Sequence, residues 1–326
     1  MIQDFLAGAG WSDATYTPLA GDASARSYIR LLRDGNRTIL MQDPDGDTAH
    51  FARLAHHLTG LGLSAPQILA KDHAHGLLLI EDLGDALFAR LAAMDPTQEI
   101  PLYLAATDTL LELHRHAPPA LDAATPQRLA QMTDLAVDCY LARATGADAS
   151  HERADCIAAF EDALGFHAPD THVMILRDFH AENLLWLPDR TGTARTGLLD
   201  FQDALQGHRA YDLASMLTDA RRDVSPITAE TSIRHYIAQS GTADAPFRAA
   251  LAVLGAQRNL RILGVFARLA GMGKPQYLTL MPRVWGYLQA DLSHPALAAA
   301  AAILSPVLPA PTSDLLARLR ASCPTP

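Results

Sequence analysis

Leu176-Arg177-Asp178-Phe179-His180-Ala181-Glu182-Asn183, answered further on by Leu198-Leu199-Asp200-Phe201, decides the fold of this chain. An aspartate is followed five residues later by an asparagine, and a second aspartate closes the next apolar run. The apolar residues before each aspartate read as strand ends. Leu184-Leu185-Trp186-Leu187, a polar turn from Pro188 to Thr193, and Thr196-Gly197-Leu198-Leu199 read as a β-hairpin. Such a hairpin brings Asn183 and Asp200 to the same end of a two-stranded ribbon.

A carboxylate and a neutral amide at one hairpin mouth form a cation clamp. Magnesium prefers hard oxygen donors and keeps several waters, so two protein ligands suffice. The spacing is the one that phosphoryl-transfer enzymes of the protein-kinase type use for a catalytic loop and a metal loop. A phosphoryl group leaving ATP spreads negative charge over its oxygens, so catalysis is mainly positioning and charge neutralisation. On this reading Asp178 orients the acceptor hydroxyl and takes its proton, while Asn183 and Asp200 hold Mg²⁺. The plainer alternative makes Asp178 a turn cap, Asn183 a left-handed residue and Asp200 a strand end. The hairpin joining the polar sites weighs against it.

With Tyr211-Asp212-Leu213-Ala214, these segments resemble the aminoglycoside-phosphotransferase and choline-kinase branch of the kinase fold. Gly21-Asp22-Ala23-Ser24-Ala25-Arg26-Ser27-Tyr28, Leu199 to Leu213, Gln257 to Arg261, Gly264 to Leu269 and Gly273-Lys274-Pro275 extend the likeness over nearly the whole chain. Within that branch they resemble the anomeric amino-sugar kinases of cell-wall recycling, which act on N-acetylmuramate and N-acetylglucosamine. The resemblance implies a two-lobed α+β fold, with a strand-rich nucleotide lobe at 1–82 and a helical lobe at 83–326 carrying the catalytic and acceptor groups. It implies MgATP as cofactor, and Asp212 as a brace for the catalytic loop.

The bulk numbers fit. The 326 residues suffice for two lobes with a sizeable core. Hydrophobic content of 49% with 19% charged residues describes a folded chain. A net charge of −10 argues against nucleic acid or an anionic membrane as the main partner. Cys139, Cys156 and Cys323 form neither a disulfide framework nor a zinc pattern. No signal peptide or membrane span is read, so a cytoplasmic protein without an obligate protein partner is expected. The 14 histidines lack metal-ligand spacing.

In chain order, a helix is expected over 2–9 and strands over 15–19, 26–32, 38–42, 67–70 and 77–80. Gly21 and Ser24 fall in the turn after the first strand, where backbone N–H groups and a hydroxyl suit phosphate oxygens. The third strand, Thr38-Ile39-Leu40-Met41-Gln42, lacks the lysine that kinases place there, and the helix expected from 48 to 61 lacks its glutamate partner. Arg26, then Arg53, are the candidate replacement cations. Glu81-Asp82-Leu83-Gly84-Asp85 resembles the hinge, where backbone groups from Glu81 to Leu83 meet the adenine edge; a plain acidic turn is the other reading. Helices come next, including 126–143 capped by Thr125 and 150–164 capped by Ser150.

Residue 176, often histidine in kinases, is leucine here. His180, Glu182 and Asp203 lie beside the key groups and are candidate acceptor contacts. Arg258, Arg261 and Arg268 share one helix. Arg258 is the candidate to receive an acceptor carboxylate or phosphate, the alternative being a solvated face. Rival functions are a kinase for an aminoglycoside, choline or homoserine, and a catalytically inactive binding module. The missing Lys–Glu pair favours the latter, and the retained Asp178, Asn183 and Asp200 oppose it.

Overall fold

Two unbroken buried runs, Thr38 to Met41 and Leu77 to Ile80, mark strands covered on both faces. They form the centre of a five-stranded antiparallel sheet in the computed structural model, which describes residues 1–19, 26–146 and 149–321. The strands are β1 (Thr15–Pro18), β2 (Ser27–Arg33), β3 (Asn36–Gln42), β4 (Ile68–Asp72) and β5 (Leu77–Glu81), in spatial order β1-β2-β3-β5-β4. Ile29 faces Leu40 and Leu40 faces Leu79 across the ladder. The exposed edge strand β1 accommodates Pro18, whose missing N–H would break an inner ladder. Leu6, Ala14, Leu31, Leu40 and Leu79 form a buried cluster under the Ile2–Gly8 helix.

Packing divides the chain into two compact units: Met1–Pro119 with Ala181–Asp203, and Ala120–His180 with Ala204–Pro326. The hairpin strands Leu184–Trp186 and Thr196–Leu198 therefore belong with the sheet. Backbone hydrogen bonds explain why. Leu198 N–H donates to the Ser64 carbonyl at 2.8 Å, Trp186 N–H to that of Ala86 at 2.8 Å, and Ala89 N–H to that of Ala181 at 3.1 Å. The sequence boundary after Asp82 keeps to chain order, whereas these non-local bonds group the segments by contact.

The second unit is built on the 28-residue helix Asp244–Gly271. A Cβ at Gly264 would lie 2.3 Å from the Leu135 carbonyl oxygen, so only glycine admits that approach of helix to backbone. The single helix expected over 126–143 is accordingly broken into Pro126–Gln131, a π-helical turn at Ala136–Leu141 and Ala142–Thr145. Thr133, whose hydroxyl donates back to the Ala130 carbonyl at 2.7 Å, sits at the break. Thr125 caps as expected, accepting from Arg128 N–H at 3.2 Å. Ser150 instead opens the first turn of Ser150–His167, with Ala149 at the cap position. A short antiparallel ribbon, Val173–Ile175 with Leu205–Gly207, ends where the Leu176–Asn183 stretch begins. Among the described residues no helix is long and apolar enough to cross a membrane.

Candidate active site

In the first unit the hairpin does what its sequence promised. Leu184 pairs with Leu198, and Leu199 N–H donates to the Asn183 carbonyl at 3.0 Å, so Asn183 and Asp200 meet at one mouth. Asp200 adopts φ 56°, a left-handed conformation that a short polar side chain tolerates better than most. Its Oδ1 accepts from Gln202 Nε2 at 3.0 Å and from Arg26 Nη2 at 3.2 Å. The carboxylate stays 40% exposed while Arg26 is 13% exposed, so the acid is open to a further cation and the arginine is anchored. An amide and a carboxylate are the hard donor set that Mg²⁺ takes, and Asp200 already draws positive charge, so the residues fit that ion. Among the described residues no group of three or more His, Cys, Asp or Glu is placed to hold a metal. Glu182 and Asp203 are exposed. Gly21 and Ser24 lie outside the described residues.

The place of the absent Lys–Glu pair is taken by packing. Thr38 is buried and donates to the Ile80 carbonyl at 2.6 Å. The helix Thr48–Gly60, capped by Asp47, rests its Phe51 ring 4.8 Å from that of Phe201. Arg53 Nη2 donates to His50 Nδ1 at 2.6 Å, which leaves the ring proton on Nε2 to donate to the Gln202 carbonyl at 3.0 Å. The helix is thus tied to the loop after Asp200 by a histidine and an aromatic pair, and Arg53 serves that tie.

The hinge stretch is clamped from two sides. Arg30 of β2 ion-pairs with Asp82 at 2.7 Å and Asp85 at 2.9 Å. Arg190 bonds Glu81 and, at 2.6 Å, the Ser64 hydroxyl. Glu81 N–H already donates to the Gln67 carbonyl at 2.9 Å, so that group is committed within the sheet. Leu83 is partly buried and Gly84 turns the chain at φ 87°.

In the second unit the loop that carries Asp178 is held at Arg177. This residue has φ 71°, which a long side chain adopts at a cost of about 1–2 kcal/mol. Both adjoining peptide groups are gripped. Asp212, fully buried, accepts from Leu176 N–H at 2.6 Å and Arg177 N–H at 2.8 Å. The Arg177 carbonyl accepts from Ser215 Oγ at 3.0 Å and Arg258 Nη1 at 3.1 Å. Burial pushes the Asp212 carboxyl up to about 6 against the opposing pull of those two N–H groups and of Arg258. Asp178, next in the chain, is partly buried, and its N–H donates to the Leu176 carbonyl at 2.9 Å.

Arg258 differs from its expected place. Its guanidinium is buried, stacks 5.0 Å over the Tyr211 ring and donates to Ser215 Oγ at 2.5 Å. It braces the loop and is not on a solvated stripe. His180 is buried too; its Nε2 accepts from Arg221 Nη1 at 3.2 Å, which puts the ring proton on Nδ1. Ser215, which the sequence pattern did not single out, and Tyr211, quoted there only as part of a family-like segment, complete the brace around Arg258. Their signal is the helix Tyr211–Leu217, which Asp212 anchors to the loop.

The phosphotransferase enzyme family model (APH) matches residues 15–251. The chain belongs to that family. It is similar, at 39% identity over 90% of its length and 92% of the relative's, to the N-acetylmuramate/N-acetylglucosamine kinase of Caulobacter vibrioides. A kinase of the same name from Pseudomonas aeruginosa is 30% identical over 90% of this chain and 89% of the relative. Among solved structures, a choline/ethanolamine kinase family protein from Mesorhizobium loti superposes with a TM-score of 0.66, 17% identity and 98% of each chain covered. Choline kinase LicA from Streptococcus pneumoniae gives 0.64, with 14% identity, 89% of this chain and 98% of the other. The fold is the two-lobed, protein-kinase-like α+β fold of these enzymes. As an APH-family kinase, the protein is an ATP-dependent phosphotransferase acting on a hydroxyl acceptor.

Proposed function

We propose that this enzyme transfers the γ-phosphoryl group of ATP to the anomeric hydroxyl of N-acetylmuramate and N-acetylglucosamine, in the cytoplasm where ATP is supplied. The observation that carries the reading is the 39% identity, sustained over 90% of the chain, to a kinase named for those two sugars.

The acceptor oxygen attacks the γ-phosphorus as its proton passes to the Asp178 carboxylate. The bond to the β,γ-bridging oxygen breaks, and ADP leaves with the electron pair. An anomeric hydroxyl is more acidic than an ordinary alcohol, so a carboxylate suffices as base. Asn183 and Asp200 would hold Mg²⁺, which neutralises the phosphate charge. Arg26, beside Asp200, supplies the cation that β3 lacks. Backbone groups from Glu81 to Leu83 receive the adenine edge, the Glu81 N–H being already used by the Gln67 carbonyl. His180, Glu182 and Asp203 flank the reacting groups in the chain and are the candidate acceptor contacts.

Phosphorus NMR on the purified protein with MgATP tests the reading, with N-acetylmuramate, N-acetylglucosamine, choline and kanamycin in parallel. The expected product is a sugar 1-phosphate whose phosphorus couples to the anomeric proton. Product only from choline or kanamycin would discard the amino-sugar acceptor.

A further inference from the structure

Asp200 has two claimants. Its Oδ1 accepts from Arg26 Nη2 at 3.2 Å and from Gln202 Nε2 at 3.0 Å, and the same carboxylate is the charged member of the donor set that suits Mg²⁺. A guanidinium keeps its charge at any working pH. A divalent ion carries twice that charge, and two cations on one carboxylate repel across a few ångströms. Arg26 is not carried on a loose segment. The next residue, Ser27, pairs with Gln42 of β3, and the arginine side chain is only 13% exposed. The Tyr28 phenol lies beside both members of the pair, and burial keeps it protonated, so it adds no charge of its own. Arg26, Tyr28, Asp200 and Gln202 all belong to the first compact unit.

In the common kinase arrangement the phosphate-binding lysine rests on a helix glutamate, apart from the metal aspartate. This chain has no lysine on β3 and no acidic residue in the Thr48–Gly60 helix. Its replacement cation rests on the metal aspartate itself. We infer that Arg26 is the resting counter-ion of Asp200, opposing a bare divalent cation there and yielding the carboxylate only when a nucleotide polyphosphate draws the guanidinium away. Phosphate oxygens are strong partners for arginine, so metal and nucleotide enter as one unit. The inference rests on the assignment of Asp200 as a magnesium ligand in the reading above.

Metal binding without turnover makes the test. Mn²⁺ is titrated into the nucleotide-free protein, and the loss of the free-ion signal is followed by electron paramagnetic resonance. Arg26→Gln keeps a hydrogen-bond donor for Asp200 and removes the charge; Arg26→Met keeps the apolar stem alone and serves if the first variant melts below the assay temperature. Either should bind Mn²⁺ about tenfold or more tightly than wild type, the scale of one relieved like-charge contact at a half-exposed site. Either should also bind MgATP about tenfold more weakly in a thermal-shift titration, having lost a charge-assisted bond to phosphate. Arg26→Lys should keep the weak Mn²⁺ binding of wild type. A side chain that merely held Asp200 in place would give the opposite sign, its loss weakening the metal. Unchanged or weaker Mn²⁺ binding in the neutral variants, with Asp200→Asn still removing the magnesium-dependent thermal shift of the nucleotide complex, would overturn the counter-ion role and leave the metal assignment standing. A gain in Mn²⁺ binding that persists in Arg26→Gln combined with Asp200→Asn would place the ion elsewhere and remove both.

Discussion

Replacing Asp212 with asparagine removes one charge, and one of two accepting oxygens, from a fully buried group. The carboxylate grips Leu176 N–H at 2.6 Å and Arg177 N–H at 2.8 Å. An asparagine carbonyl keeps one of these bonds, and its NH₂ then faces the other N–H, donor against donor. The loss of one charge-assisted bond with a stranded buried N–H is worth about 2–4 kcal/mol. Arg177, held at φ 71°, still has its carbonyl bonded by Ser215 and Arg258, but loses half of the grip on its N–H side. Because Asp178 is the next residue, the shift directly reaches the carboxylate proposed as the base. Steady-state kinetics by coupled ADP release should show kcat reduced by at least about tenfold, with KM for ATP little changed. Arg177→Gly, which occupies the left-handed region without penalty, should recover about 1 kcal/mol of the loss when combined with Asp212→Asn. Wild-type kcat should also fall as the pH drops through about 6, where Asp212 gains its proton, and the asparagine variant should lack that limb. Full kcat in Asp212→Asn, or no coupling between positions 177 and 212, would refute the clamp.

Other outcomes rest on the same geometry. Asp178→Ala should lower kcat by roughly 10²- to 10⁴-fold while a thermal-shift assay still reports MgATP binding. Asp200→Asn should instead collapse the magnesium-dependent part of that thermal shift, because it removes charge that both Arg26 and the cation need. His50→Ala should lower kcat/KM by about 2- to 10-fold, one hydrogen bond's worth, by loosening the 48–60 helix from the Gln202 backbone. Burial raises the Asp291 carboxyl to about 7 despite its bond from Asn259 at 2.9 Å, so the folded state keeps a proton that the unfolded chain releases above about 4. Stability should therefore fall as pH rises from about 4 to 7. Asp291→Asn should gain melting temperature over wild type at pH 8 and show little gain at pH 4.

The sequence carried the hairpin and the two acid loops because their signals are local. Apolar runs of strand length, a polar turn and aspartates at the strand ends are set by neighbouring residues alone. The five sheet strands were legible to within two residues at each end for the same reason. The role of Arg258 was not. A spacing of three and seven shows that arginines share a helix, but not whether that surface meets solvent or another backbone. The buried Gln257, whose amide donates to the Leu129 carbonyl at 2.7 Å, and the close approach at Gly264 show that this helix is covered on most sides. The break at 132–135 and the joining of 181–203 to the sheet arise from contacts distant in sequence, such as Ser64 against Gly197 and Leu87 against Leu185. No pattern within a single segment encodes them.

On the proposed hinge role, the doubly clamped stretch from Glu81 to Gly84 bears on which purine the enzyme accepts. Glu81 is matched by Arg190, and Asp82 by Arg30 and by the Gly84 N–H at 2.9 Å, so their carboxylates are already taken. A base docked on this segment would be judged by main-chain donors and acceptors alone. Any preference for ATP over GTP would then be written in the path of the backbone from Asp82 to Gly84. Swapping the acidic side chains to retrain it would loosen the sheet before it changed the nucleotide.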